Sequence, residues 1–259
     1  MKQLFQRGWR PGLVLILLFT VWELSVQLFE VQTWLLPAPS QIFSVMVSDW
    51  SDYSTDLFST LQLILIGFGI GSSVGVLVGV ALHLVGFLRL SMHPLLILTQ
   101  NIPIIVLAPL LVVWFGFGML PKLIVITLVC FFPITISLLD GLRQADRELM
   151  HYMKMAGANK KQIFTKLEWP NALPYLFSGL KISGTYSVMG AVISEWLGGS
   201  KGIGVYMTLA QSSFRTDRVF VAILITVFLS LLFFLIISWV ERIVVHWSSD
   251  LEGESRGTS

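Results

Sequence analysis

Residues 219–240 read VFVAILITVFLSLLFFLIISWV, 22 consecutive positions without a charged side chain. A helix needs about 20 apolar residues to cross a hydrocarbon core about 30 Å thick. The stretch therefore predicts a membrane-spanning helix, and the rest of the chain can be read outward from it.

The same criterion marks about six spans, at roughly 12–29, 57–85, 94–115, 121–139, 174–196 and 219–240. What remains of the 259 residues is connection, so the whole chain, 1–259, reads as one all-α transmembrane domain. Composition agrees: 55% of residues are hydrophobic and 12% charged, against about 25% charged in a soluble domain. That leaves no room for a separate soluble catalytic domain. A net charge of +2 excludes a nucleic-acid reader. Residues 2–20 have the outline of a signal peptide, but the apolar run continues to Phe29 with no small-residue cleavage site. This is expected to be a retained first span.

Charge placement gives the topology. Residues 30–56 carry Glu30, Asp49, Asp52 and Asp56 and no lysine or arginine, so this loop is expected outside. With the N-terminus inside, thirteen of the seventeen basic residues fall on inner segments, and only Lys122, Lys201, Arg215 and Arg218 fall outside. Both termini are then expected in the cytoplasm. Trp9, Trp34, Trp114, Trp196 and Trp247 fall near span ends, as an interfacial belt requires.

Within the spans the exceptions to apolarity are informative. Gly67, Gly71, Gly75 and Gly79 repeat every fourth residue along one helical face, where another backbone can approach, in the same subunit or in a second copy. Gln100, Asn101 and Pro103 interrupt the third span. They are candidates for the translocation path, together with Glu195 and Trp196 at the end of the fifth. The alternatives are a re-entrant or interfacial kink for the first group and interfacial snorkelling for Lys181 and Glu195. Glu23 lies deep enough to want a polar partner within the bundle. Cys130 is expected to be a buried apolar residue.

Residues 140–173 are the longest inner connection, and two short amphipathic helices are readable in it. The first, about 145–156, places Leu149, Met153 and Ala156 near one-turn spacings; Gly157 breaks it. Asn159 caps the second, with Gln162 completing a capping box; Ile163, Phe164 and Leu167 form its stripe, and Pro170 is expected to end it. A helix-Gly-helix element with an apolar face is suited to docking into a partner's groove.

This segment resembles the permease subunits of ABC importers, whose cytoplasmic loop runs Glu-Ala-Ala, three residues, Gly, nine residues, Ile-x-Leu-Pro. Here Gly157 is followed by nine residues and then Leu167-Glu168-Trp169-Pro170, while His151, Tyr152 and Met153 stand where the family has Glu-Ala-Ala. The resemblance extends from Leu36-Pro37-Ala38 to about Met207. It is nearest to the nitrate, sulfonate, taurine and thiamine-precursor permeases; Leu139-Asp140-Gly141-Leu142-Arg143 and Ser194-Glu195-Trp196-Leu197-Gly198-Gly199 look most like the pyrimidine-precursor branch. It implies a complex in the inner membrane of a bacterium, with two permease copies, most simply a homodimer, two cytoplasmic ATPase subunits and an extracytoplasmic solute-binding protein. The residues it implies for ATPase coupling are His151, Met153, Ala156, Gly157, Ala158, Ile163, Phe164, Leu167 and Pro170.

The chain itself is not expected to be an enzyme. Gly198-Gly199-Ser200-Lys201-Gly202 does not fit a phosphate-binding loop, so ATP and magnesium are expected on the partner ATPase, with no cofactor or metal here. A secondary transporter or channel would want coupling carboxylates at mid-membrane, and a haem subunit would want histidines facing each other across spans. Glu23 alone, and His83, His93, His151 and His246 near span ends, offer neither. No lysine or arginine lies clearly deep, which favours a neutral heterocycle such as a thiamine pyrimidine precursor over an aliphatic sulfonate, taurine or nitrate.

Overall fold

The computed structural model describes residues 2–246, with the side chains of 2–10, His93 and Ile97 outside the description. Trp247, Arg256 and the Trp9 ring, all used in the topology, thus fall outside the described residues. Among the described residues the chain is helical throughout, with no strand.

Long helices match the expected spans: α1 (Lys2–Leu28), α3 (Trp50–Leu84), α6 (Met119–Arg143), α9 (Trp169–Gly198) and α11 (Thr216–Val244). The third expected span is two helices, α4 (Gly86–Gln100) and α5 (Ile104–Phe115), bent by 98° where Asn101 caps one and Pro103 the other. Pro103 supplies no amide hydrogen, so the helix cannot run through it. Four shorter helices complete the set: α2 (Pro39–Ser48), α7 (Arg147–Met155), α8 (Lys160–Ile163) and α10 (Ile203–Ser212).

The core is built on α6. On α3, Gly67, Gly71, Gly75 and Gly79 face Ile126, Cys130, Ile134 and Leu138 of α6 in register, so two four-residue rows mesh in parallel. A methyl group at Gly71 would lie 2.7 Å from Cys130 Cβ. The glycine row is therefore spent within the subunit and does not supply a face for a second copy. Because α3 and α6 are parallel, the bent α4–α5 pair returns the chain once and counts as one crossing. On its other side α6 meets α9 antiparallel: Ser183 Oγ donates to Cys130 O at 2.8 Å, and Gly179 abuts the Pro133 carbonyl.

Two corrections concern the connections. Residues 30–56 are not one open loop: α2 forms, and α3 begins seven residues before the expected start. Arg218 holds Asp49, in the turn between α2 and α3, and Asp52 at 2.6 and 2.9 Å, and Asp56 accepts from Gly202 N at 2.7 Å, so these acids are tied down. Nor does Pro170 end a helix. A π-helical turn, Phe164–Glu168, joins α8 to α9, and the chain is one rod from Lys160 to Gly198. The wider turn relieves the clash a proline ring makes with the carbonyl four residues back.

Glu23 finds its partner at the start of α2, accepting from Ser40 N at 3.0 Å and Ser40 Oγ at 2.7 Å. A carboxylate at a helix N-terminus satisfies an amide that the helix leaves open. Lys181 does not snorkel; its Nζ lies 2.8 Å from Glu241 Oε2 on α11.

Candidate functional site

The segment between α6 and α9 is compact. Asp146 caps α7, accepting from Glu148 N at 2.8 Å and Leu149 N at 3.3 Å. At the other end Gly157 has φ +83°, and the amides of Gly157 and Ala158 return to the carbonyls of Lys154 and Met153 at 3.0 and 2.9 Å. That is a Schellman cap, and its left-handed residue is glycine because a Cβ is penalised there. Asn159 and Gln162 then make the reciprocal capping box, at 2.9 and 2.8 Å.

The faces differ from the expected ones. Ile163 and Leu167 are 6% and 8% exposed, buried with Ala145 beneath Met150, Met153 and Ala158. Phe164 lies between His83 and Trp169. The stripe of α8 therefore closes this element on itself instead of facing outward, because it meets the underside of α7. What remains outside is a row on α7: Leu149, Tyr152 and Met155, at 45%, 66% and 83% exposure. Three large apolar side chains at three-residue spacing form one exposed stripe. Of the predicted coupling residues, His151, Ala156 and Gly157 are also exposed, whereas Pro170 is half-buried within the rod.

At the opposite end of the bundle Glu195 is 1% exposed. It accepts from Thr60 Oγ1 at 2.8 and 2.9 Å and from Gly204 N at 3.0 Å, while Ile203 N donates to the same Thr60 oxygen at 2.8 Å. A buried polar group left unpaired is costly, so these hydrogen bonds fasten α9, α10 and α3 together. Above it Tyr206 is buried beside the Arg215–Asp217 and Arg218–Asp49 pairs. Burial pushes its hydroxyl up to about 12, the Arg218 guanidinium opposing and the nearby aspartates adding to the rise.

Two cavities complete the picture. One of about 340 Å³ sits in the α4–α5 bend against α6 and α9, lined by Thr99, Gln100, Ile104, Phe132 and Tyr186 among others, with no charged side chain. The other, about 450 Å³, lies at the Glu195 end and carries Lys122 and Lys201 with Ser59 and Gln62.

The binding-protein-dependent transport system inner membrane component family matches residues 67–246. The chain belongs to that family. It is accordingly a multi-pass inner-membrane permease of the ABC importer class, and a carrier or channel without an ATPase finds no support. The permease is 34% identical to the formylaminopyrimidine transport permease protein ThiX of Halalkalibacterium halodurans, over 95% of this chain and 98% of that one. It is 30% identical to the riboflavin transport system permease protein RibX of Chloroflexus aurantiacus (91% and 88% covered) and 29% identical to a putative aliphatic sulfonates transport permease protein SsuC of Bacillus subtilis (95% and 90%). Inward-facing MetNI methionine ABC transporter shares the fold at a TM-score of 0.60 and 20% identity, over 74% of this chain and 93% of that one.

The five residues expected on the permease's translocation path do not converge. Gln100 lines the bend cavity, and Asn101 and Pro103 are exposed beside it. Trp196 is exposed, but Glu195 is sealed inside the subunit. Glu195 also lies nine residues, roughly 14 Å along α9, from Tyr186 of that cavity.

Proposed function

We propose that this permease moves a small neutral heterocycle, a pyrimidine of the thiamine-precursor kind, into the cytoplasm, driven by ATPase subunits that dock on the α7 face. The observation that carries it is the exposed Leu149, Tyr152 and Met155 row beside the Gly157 turn, a face with no partner among the described residues. Stripes of this kind enter apolar grooves on partner proteins. ATP and magnesium belong to those partners, and the substrate is delivered by an extracytoplasmic binding protein. Two copies of the chain line one path, with the α4–α5 bend and its Gln100 amide toward it. Both termini and α7 are cytoplasmic, in line with the basic residues of that end.

The uncharged, amide- and aromatic-lined bend cavity supports a neutral heterocycle, as does the likeness to the formylaminopyrimidine and riboflavin permeases. A second reading, an anionic sulfonate, taurine or nitrate, draws on Lys122 and Lys201 in the outer cavity. Reconstituted vesicles holding the full complex separate them: labelled formylaminopyrimidine should accumulate with ATP, and an aliphatic sulfonate should not. In the same preparation, replacing Leu149, Tyr152 and Met155 together by serine should weaken ATPase association by about 2 kcal/mol or more, roughly thirtyfold. Unchanged association would remove α7 as the docking face, and sulfonate uptake alone would replace the pyrimidine.

A further inference from the structure

Movement at α8 reaches α9 through continuous backbone, because α8, the π turn and α9 are one rod from Lys160 to Gly198. No such path leads to α3, whose chain leaves at Leu84 for α4. Among the described residues, the polar contact between that end of α3 and the docking segment is His83 Nε2 with Glu168 Oε2, 2.9 Å apart and largely covered. Phe164 lies against the His83 ring at 6.1 Å and against Trp169 at 6.0 Å. His83 Nδ1 is buried without a partner. Opposite a carboxylate oxygen, Nε2 is the nitrogen that carries hydrogen and donates it.

The π turn is what aims Glu168. Its inserted residue rotates the following helix by about 100° relative to an unbroken α-helix. Glu168 can thus face α3 while α9 still sets Gly179 on α6 and Gly184 on α11. At the far end α3 and α9 are fastened again, by Thr60 and Glu195. The two antiparallel helices are held at both ends, roughly 35 Å apart along α3.

We propose that the His83–Glu168 hydrogen bond is a positioning strut that makes the Leu84 end of α3 follow the docking element. The inference rests on the reading of α7 as the ATPase-docking helix and adds a route, to α3, beside the covalent ones through α6 and α9. Neither residue touches solute or nucleotide; both act by holding two helices in step. Without the strut, ATP-driven movement would turn α9 while that end of α3 lags.

The test uses the full complex in vesicles. Spin labels at Ala81→Cys and Thr165→Cys, with Cys130 replaced by serine, report whether the end of α3 keeps pace with the docking element. With the strut intact, one narrow distance should persist with and without ATP; in His83→Ala it should broaden or shift when ATP binds. Uptake of labelled formylaminopyrimidine per ATP hydrolysed should fall at least about fivefold, the lower range of site-to-site coupling. Glu168→Ala should match it, and the double variant should be no worse than either single one. His83→Gln, whose amide still donates, should recover most of the loss. An unchanged distance and ratio in His83→Ala, additive losses in the double variant, or a glutamine variant as defective as alanine would overturn the strut. If His83→Ala does not insert, Glu168→Ala against Glu168→Gln makes the same comparison. ATPase association, measured in parallel on the triple-serine α7 variant, decides the docking reading separately.

Discussion

Gly157 and Gly202 both hold positive φ, +83° and +121°, yet their surroundings are opposite. A methyl group at Gly202 would sit 2.1 Å from Glu195 Cδ, and at the nearby Gly199 and Gly204 it would meet backbone at 2.6 and 2.4 Å. A methyl group at Gly157 would meet nothing within 4 Å. The same backbone demand thus serves two ends of the molecule differently. At one, glycine lets a loop close over a buried carboxylate; at the other, it only sets the angle between two short helices in the open. One end is a lock and the other a presented surface, which is the contrast the proposed docking role of α7 requires.

The largest effect expected from breaking this contrast is at Gly202. Gly202→Val would force the loop off the Thr60–Glu195 network and leave buried polar groups unpaired. Its backbone conformation is also one that only glycine adopts readily. A loss of about 4 kcal/mol or more is expected, among the most damaging of single substitutions. Thermal unfolding of the detergent-solubilised protein, followed by size-exclusion chromatography, should show aggregated or absent material. A well-folded variant would mean that the lock is not a lock.

Gly157→Val sharpens the other half. The strain of a left-handed non-glycine residue is about 1–2 kcal/mol with no clash added, so the protein should insert and melt within a few degrees of wild type. Uptake should nevertheless be lost, since α7 is re-aimed relative to α8. Gly157→Asn should fall between, because asparagine tolerates this conformation. If Gly157→Val unfolds as Gly202→Val does, the distinction between the two ends collapses.

The spans were legible in the sequence because the length of an apolar run is itself the physical requirement. The capping box at Asn159 and the turn at Gly157 were legible because caps are local. Asp146, followed by Glu148 and Leu149, offered the same signal for α7. What could not be read was which face of an apolar stripe is covered. Ile163 and Leu167 promised an outward surface and closed an inner one, since periodicity shows that one side is apolar but not what lies against it. Glu195 and Thr60, 135 residues apart, and His83 and Glu168, 85 apart, could not be paired without the fold. The glycine row was clear as a close-packing face, and only the register with α6 showed that it is used within the subunit.

The smallest effect is expected at His151, where the family pattern has glutamate. His151 is exposed, and its Nδ1 lies 2.7 Å from the Arg147 carbonyl one turn back. On a helical wheel it sits about 40° beyond Met155, at the margin of the Leu149, Tyr152 and Met155 face. In His151→Glu the new carboxylate would have Arg147 four residues before it and Lys154 three after it. Such surface pairs contribute about 0.2–0.5 kcal/mol each. Against this stands the lost bond to the backbone; at the midpoint of α7 the helix dipole adds little. The balance should leave stability within about 0.5 kcal/mol of wild type. ATPase association should change by less than about threefold, as a residue at the rim of an interface rather than its centre would allow. Titrating the ATPase onto permease in nanodiscs measures this directly. A tenfold change in either direction would place position 151 inside the contact and turn the docking face of α7 toward it.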